Sequence, residues 1–582
     1  MRPELNKNLS RIFSDMSMIY RYVGADERFR AVAYSKAAKV ISSLPEEISV
    51  YMRSHTLKDL PGIGESIAEK IEEFIKTGII KKYEQLKKSV PFELLGLTEI
   101  KGFGPQSLKA IHKELKISKK EDLVKALQEG KIEKIKGFGK KKSAAMLRGL
   151  KLHKTIEERM LLWDALEAGE KLIGQIKKLP EVQQAELAGS LRRKKETIGD
   201  IDLLVAAADK DRKEIISFFT SSQIAKNILA KGDTKASIIL KDTGRQADLR
   251  IVNMEEWGSA LQYFTGSKEH NIHLRTLAKE KGYKISEYGL FLIKNEKKVA
   301  GKSEEAIYKK LGFQFIPPEM REDRGELELS AKGKIPRLVS MEDIRGDLQM
   351  HSDWSDGLHS IEEIAKFVKQ NFKYDYIAIT DHSKSSRIAN GLDERRILMQ
   401  VKEIESINKR LGESFVKAGI EVDILPDGTL DISDEILSQL HWVTASIHSG
   451  FNKDNTDRII RACKNHYVNC IGHPSGRLIG NREPYKLDIG AVIQAAKETN
   501  TALEINAQPE RMDLNDEQAM LAREKKVRLV ISTDSHLSAN FYLMKLGVSI
   551  ARRAWCSSAD IINTMQWRDI QRVLKKKSMS FA

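Results

Sequence analysis

Only three of the 582 residues are cysteine, Cys463, Cys470 and Cys556, too few and too unevenly spaced for a disulfide framework or a zinc knuckle. Proline is scarce, at 13, which argues against a collagen-like or low-complexity chain. No apolar run approaches the ~18 residues that a membrane helix needs, and the polar opening MRPELNKNLSR lacks the apolar core of a secretory signal. These absences predict a cytoplasmic protein in a reducing compartment. With 41% hydrophobic and 31% charged residues the chain reads as globular, and at about 150 residues per domain its length calls for several cores.

Acidic residues fall short of basic ones in only part of the chain. Residues 1–345 carry 66 Lys and Arg against 50 Asp and Glu, whereas 346–582 carry 32 of each, so the net +16 lies in the first three fifths. Such a region predicts a polyanionic partner, because Lys and Arg contacts to phosphates release counterions.

Residues 1–150 read as all-helical, from apolar residues at helical spacing in RAVAYSKAAKVISSL and EDLVKALQEG. From about 183 short strand-like runs (AELAGSL, IDLLVAA, SIIL, ADLRIV) alternate with helical ones, predicting an α/β or α+β domain. The stretch 317–338 is charged, holds three prolines and shows no period, which predicts a linker. Beyond it, YIAIT, WVTASI, ALEINA and RLVIST alternate with helical segments, the pattern of a parallel sheet or barrel.

Three echoes punctuate the helical part: LPGIGESIAEKI at 60–71, LTEIKGFGPQSLKAI at 97–111 and IEKIKGFGKKKSAAML at 132–147. In each, a Gly-x-Gly pair (Gly62 and Gly64, Gly102 and Gly104, Gly137 and Gly139) turns the chain from one helix into the next, whose free N–H groups suit a phosphate. The third is flanked by Lys136, Lys140, Lys141 and Lys142. The arrangement resembles the helix-hairpin-helix motif, which holds DNA backbone without reading sequence.

Downstream, Gly189-Ser190-Leu191-Arg192-Arg193 precedes Gly199-Asp200-Ile201-Asp202. Residues two apart on a strand share a face, so Asp200 and Asp202 can share a pair of Mg²⁺ ions, with Asp248 completing the site from a neighbouring strand. A lone Asp-x-Asp is more often a solvated strand end; here the Gly-Ser turn and the distant Asp must be explained too.

Residues 1–316 resemble a family X DNA polymerase of the DNA polymerase beta type, through Tyr263-Phe264-Thr265-Gly266-Ser267 with Asn271, Arg275 and LAKEKGYKISEYGLF. The resemblance implies that Tyr263 and Phe264 lie under the incoming sugar, with Gly266 between them and Ser267. It places Asn271 at the base and Arg275 at the template strand, and makes Gly189, Ser190 and Arg193 triphosphate ligands. Asp200, Asp202 and Asp248 become the catalytic triad, with Asp248 the general base. It also puts Lys70 where that family has a Schiff-base lysine and Tyr34 and Lys36 near a 5′-phosphate pocket, whereas Ser66 stands where another lysine is common.

Eight of the 13 histidines fall in 346–582, several where strands should end. In a (β/α) barrel those ends converge on one mouth, and imidazoles mixed with carboxylates suit Zn²⁺, Mn²⁺ or Fe²⁺. The ordered set Gln349, His351, Asp356, His382, Glu421, His448, His473, Asp534 and His536 resembles the PHP (polymerase and histidinol phosphatase) family. That implies a distorted (β/α)₇ barrel, up to three Mn²⁺ or Zn²⁺ ions and phosphoesterase activity. Gln349 departs from the family's opening His-x-His, and an amide oxygen is the weaker ligand for these metals. His359, His441 and His466 read as ordinary.

Together these readings predict a multidomain chain: an all-α helix-hairpin-helix region, an α/β nucleotidyltransferase polymerase core and a C-terminal PHP barrel. The boundaries expected are a lyase-like unit at 1–90, a fingers-like unit at 91–150, a palm at 151–255, nucleotide selection at 256–316, a linker at 317–344 and the barrel at 345–582. The expected activity is filling of short gaps in repair with dNTPs on gapped or nicked DNA, as a monomer. The barrel would act as a 3′-5′ exonuclease or 3′-end phosphoesterase, and abasic-site endonuclease or lyase activity is a further implication. Two rival readings stay open: a nuclease or phosphatase delivered by its N-terminal half, and a DNA-bound scaffold with a structural barrel.

Overall fold

The computed structural model describes residues 4–573 except 45–46, 55–56, 61, 99–102, 141, 148–149, 151–158 and 222. Gly102 and Lys141 therefore lie outside the described residues. The N-terminal part is a set of helices, including Glu4–Val23, Arg28–Ser43, Glu65–Thr77 and Pro105–Leu115. Ile63, Phe103 and Phe138, the middle residues of the three Gly-x-Gly turns, are all buried in its apolar cluster. Packing inward at that position leaves the described glycines Gly62, Gly64, Gly137 and Gly139 at the surface.

A five-stranded sheet follows: β1 (Gln184–Leu187), β2 (Ile201–Ala206), β3 (Ala225–Lys231), β4 (Lys235–Leu240) and β5 (Gln246–Val252), in the order β1-β2-β5-β4-β3. Only β2 and β5 run parallel. Helices Trp257–Thr265 and Lys268–Glu280 lead to a three-stranded antiparallel sheet of β6 (Tyr283–Ser286), β7 (Gly289–Leu292) and β8 (Lys298–Ala300).

The stretch expected as a linker is instead packed. It contains the helices Pro318–Met320, Glu326–Ala331 and Met341–Asp343, and Met320, Leu327 and Leu338 join an apolar cluster that also takes in Trp555 of the C-terminal domain. Its charged residues misled the pattern because several are buried in ion pairs, Arg321 with Glu304 and Glu326 against His270.

The C-terminal domain is a parallel barrel of seven strands in sequence order: β9 (Gly346–Asp347), β10 (Tyr376–Ile379), β11 (Val416–Asp423), β12 (Trp442–Ser446), β13 (Cys470–Ile471), β14 (Ala502–Asn506) and β15 (Leu529–Ser532). A parallel bridge between Met350 and Ser535 brings the two edges together. Strands buried on both faces need continuous apolar runs, as in YIAI and LVIS.

Candidate functional site

Asp202 on β2 stands in register with Asp248 on β5, and Ser237 on β4 flanks Asp248 from the other side. Oxygens of Asp200, Asp202 and Asp248 lie within 4.8 Å of one another. Asp248 accepts hydrogen bonds from Ser237 Oγ and from Gln246 Nε2 at 2.9 Å. Burial, and then the charges of Asp200 and Asp248, push Asp202 up to about 7. Three carboxylates forced together in this way are the donor set that a hard divalent cation fits. Gly189 has φ +58°, and a Cβ there would fall 1.9 Å from Asp202 Oδ2, so the turn holds only without a side chain.

Ser190 sits on the short helix Gly189–Arg192 that this turn opens. Arg193 follows it: its Nη1 donates to Thr265 O at 2.5 Å and its Nε to Glu322 Oε1 at 3.1 Å. A Cβ on Gly266 would come within 3.0 Å of that same Nη1. Tyr263 and Phe264 meet edge to face at 5.2 Å near the end of helix Trp257–Thr265, and Arg250 of β5 lies over the Phe264 ring. Asn271 is held by both ends of its amide, Nδ2 donating to Tyr263 O (2.8 Å) and Oδ1 accepting from Gln262 Nε2 (2.7 Å); Arg275 Nε donates to Asn271 O (3.2 Å). Ser267 caps the next helix by accepting from His270 N. Arg193, residues 263–267 and Asn271 thus form one corner. The sequence reading missed Arg192, which donates to Thr265 Oγ1 (2.6 Å) and pairs with buried Glu304 (2.6 Å).

In the barrel, Glu421 near the end of β11 is the hub. Its Oε2 lies 3.0 Å from His382 Nδ1 and 3.6 Å from His351 Nε2; its Oε1 lies 3.1 Å from His473 Nε2 and 3.6 Å from His448 Nε2. His351 Nε2 is 3.1 Å from Asp534 Oδ1, and His536 Nε2 is 3.4 Å from Asp356 Oδ1. The ring of His351 is stacked with those of His382 and His536 at 4.4 and 4.2 Å. Three overlapping donor groups result: His351, Asp356, His382 and His536; His382, Glu421 and His448; His351, Glu421 and Asp534. Burial alone would lower the His382 pKa, but the Glu421 and Asp356 carboxylates outweigh it and raise it to about 9. Burial would likewise raise Glu421, yet His382 and His448 hold it well below the usual carboxylate range. Gln349 is buried, and neither atom of its amide has a hydrogen bond among the described residues. An orphaned buried amide two residues from His351 fits a site completed by an ion or water.

Supporting residues escaped the sequence reading. Asp423 Oδ1 lies 2.7 Å from His448 Nδ1, which turns Nε2 toward Glu421. Buried Asp381 accepts from Ser352 N, Ser352 Oγ and Gln400 Nε2, fixing the loop that carries His351 and Asp356. Glu504 Oε2 accepts from His473 N at 2.5 Å, and Arg511 Nε lies 3.7 Å from Asp534. Alternation along β11 could have exposed Asp423, two residues after Glu421.

Among the N-terminal residues, Gly64 and Gly104 are the N-caps of helices Glu65–Thr77 and Pro105–Leu115, and Gly139 O accepts from Lys142 N and Ser143 N in the same manner. Gly62 and Gly137 have φ +83° and +87°. Lys36 packs its stem over Gly62, while the buried Tyr34 ring stacks on Tyr20 at 5.5 Å. Lys70 Nζ donates to Ser66 O and Oγ at 2.8 and 2.9 Å, and burial pushes its pKa down.

A carboxylate triad on a mixed sheet beside a Gly-Ser turn, joined to a parallel barrel lined with histidines and carboxylates, defines a nucleotidyltransferase carrying a second candidate metal site. The chain is 36% identical over 575 residues to the DNA polymerase/3′-5′ exonuclease PolX of Bacillus subtilis (strain 168), a match covering 98% of this chain and 99% of that one. It belongs to that family, the PolX-type family X DNA polymerases. Family models agree by region: a helix-hairpin-helix domain at 4–80, a SAM-like helix-hairpin-helix tandem at 92–152 and the DNA polymerase beta thumb at 260–322. DNA polymerase lambda of Arabidopsis thaliana is 26% identical over 355 residues (55% of this chain, 62% of that protein), and that of Rattus norvegicus 26% over 321 (51% and 53%). Among the described residues no helix is long and apolar enough to cross a membrane.

Proposed function

We propose that this protein fills short gaps in DNA by transferring dNMP to a primer 3′ end at Asp200, Asp202 and Asp248, and trims 3′ ends in its PHP-type barrel. The observation that carries the first part is the corner in which the triad, Gly189, Arg193 and the 263–267 turn converge. The incoming triphosphate lies along Gly189, Ser190 and Arg193, its sugar on Tyr263 and Phe264, and its base edge at Asn271; Arg275 faces the template. Asp248, steadied by Ser237 and Gln246, takes the proton of the 3′-hydroxyl as that oxygen attacks the α-phosphorus and pyrophosphate leaves. Two Mg²⁺ ions held by the triad would supply charge neutralisation for attacking and leaving oxygens. The pKa of Asp202, raised by burial and then by its neighbouring carboxylates, supports that assignment, since bound cations offset both.

In the barrel, His351, Asp356, His382, Glu421, His448, His473, Asp534 and His536, with Gln349 beside them, would hold Mn²⁺ or Zn²⁺ ions that activate water against a phosphodiester. The chain's own part is orientation, through Asp423 on His448 and Glu504 on the His473 backbone. The Gly-x-Gly turns and their lysines hold the DNA backbone, with Tyr34 and Lys36 serving a 5′-phosphate. The lowered pKa of Lys70 supports a lyase step at its amine, which borohydride trapping on an abasic 5′-phosphate end tests against Lys70→Ala.

The deciding experiment uses a 5′-labelled primer in a one-nucleotide gap with a 5′-phosphate, in Mg²⁺ or Mn²⁺, with and without dNTPs. Extension lost only in Asp248→Ala, with shortening lost only in His382→Ala, supports two independent sites. No extension by the wild-type protein overturns the polymerase assignment and leaves the nuclease reading.

A further inference from the structure

The barrel reaches into the nucleotide corner. Arg553 is the last residue of helix Met544–Arg553, on the outside of the barrel, and its side chain is only 3% exposed. Its Nη1 donates to the backbone carbonyl of Arg193 at 2.7 Å and to Glu322 Oε1 at 2.9 Å, while Nη2 donates to Asp516 Oδ2 at 2.7 Å. The same Glu322 oxygen accepts from Arg193 Nε at 3.1 Å, and the other lies 3.5 Å from Lys195 Nζ. Asp516 in turn pairs with Arg324 at 3.1 Å. One buried guanidinium from the C-terminal domain therefore fixes both the main chain and, through a shared carboxylate, the side chain of Arg193.

We propose that Arg553 is a positioning residue for the polymerase reaction, making the barrel a structural part of the triphosphate pocket; this rests on the assignment of Arg193 as a triphosphate ligand. Glu322 is shared among three cations, Arg193, Lys195 and Arg553. With Arg553 in place, its charge is divided and the Arg193 guanidinium is directed at Thr265 O, beside the triad, with charge to spare for a phosphate. Without Arg553, Glu322 bears on Arg193 and Lys195 alone, and the main chain of Arg193 loses its anchor. Because the hydrogen bonds of Arg553 go to Arg193, Glu322 and Asp516 rather than to the barrel's histidines or hub carboxylates, 3′ shortening is the internal control for folding.

The test measures single-nucleotide gap filling by the full-length protein, comparing wild type, Arg553→Met and Arg553→Lys, each alone and with Arg193→Ala. The expected result is a KM for dNTP raised about tenfold in Arg553→Met with kcat within about twofold, a smaller rise in Arg553→Lys, and unchanged Mn²⁺-dependent shortening. In the Arg193→Ala background the Arg553 effect should vanish, because coupled residues are not additive. An unchanged KM in either variant that still shortens primers refutes the positioning role, as does a rise that persists without Arg193. If Arg553→Met fails to fold, the KM of Arg553→Lys decides the question by the same criteria. A wild-type protein that never extends refutes the polymerase assignment itself, a result separable from these.

Discussion

The two candidate metal sites of this chain pose opposite electrostatic problems. In the palm, Asp200, Asp202 and Asp248 crowd together and the half-buried Asp202 rises to about 7. In the barrel, each acid of the donor groups, Asp356, Glu421 and Asp534, has an imidazole within reach, so Glu421 and Asp534 stay well below the usual carboxylate range while His382 rises to about 9. Without ions the palm is strained by like charges, whereas the barrel neutralises itself with protons. A cation entering the palm relieves repulsion; one entering the barrel must displace protons.

The largest test of this contrast is chemical. Asp248→Asn should cut primer extension by at least about 10³-fold, as expected when a proton acceptor and a metal ligand are lost together, and leave shortening intact. Glu421→Gln should do the reverse. Loss of both activities in either single variant, measured on the same labelled primer, would falsify their independence.

The contrast predicts pH dependences in different windows for the ion-free protein. Asp202 has a folded pKa above its unfolded value of 3.8, so the native state binds the extra proton and stability falls as pH rises from about 4 to 7, by on the order of 4 kcal/mol if Asp202 acts alone. His382 is also raised, from 6.5 to about 9; its contribution is complete below 6.5 and is lost as pH rises through 9. Thermal denaturation in chelator, from pH 4 to 9.5, should show both slopes. Asp202→Asn should flatten the first and His382→Gln the second. Added Mg²⁺ should raise Tm more at pH 7 than at pH 5; equal effects would remove the claim that repulsion strains the palm.

What was legible in the sequence was local. The Gly-x-Gly turns, the Gly-Ser and Asp-x-Asp runs, and histidines at strand ends all express rules that act over a few residues: positive φ, strand alternation and convergence at a barrel mouth. What was hidden pairs residues far apart. Arg553 meets Arg193 across 360 positions, Arg477 meets Glu196 across 281 and Arg192 meets Glu304 across 112. No periodicity encodes such pairs, and buried charges of the same kind, Arg321 on Glu304 and Glu326 on His270, made 317–344 look like an exposed tether. Asp423 lies between: alternation puts it on the Glu421 face, but only the fold brings His448 to it. Asp423→Asn should therefore weaken barrel metal binding and shortening about 10- to 100-fold, the usual effect of losing a ligand's outer partner, measured as the Mn²⁺ concentration for half-maximal shortening.

The smallest predicted effect sharpens the contrast at one position. Gln349 brings an uncharged amide into a region otherwise built of histidines and carboxylates, and both its polar atoms lack partners among the described residues. An imidazole there would be a stronger ligand and would carry its own proton when ion-free, extending the self-neutralising logic of the barrel by one group. Gln349→His should lower the Mn²⁺ concentration for half-maximal shortening several-fold, slow metal loss to EDTA, and steepen the pH dependence of that binding below pH 7, while primer extension stays as it was. If the metal requirement does not move, Gln349 is no ligand, and the site is built from the eight histidines and carboxylates alone. If extension moves as well, the barrel and the palm are coupled through the contacts they share, those of Arg553 and Arg477 among them.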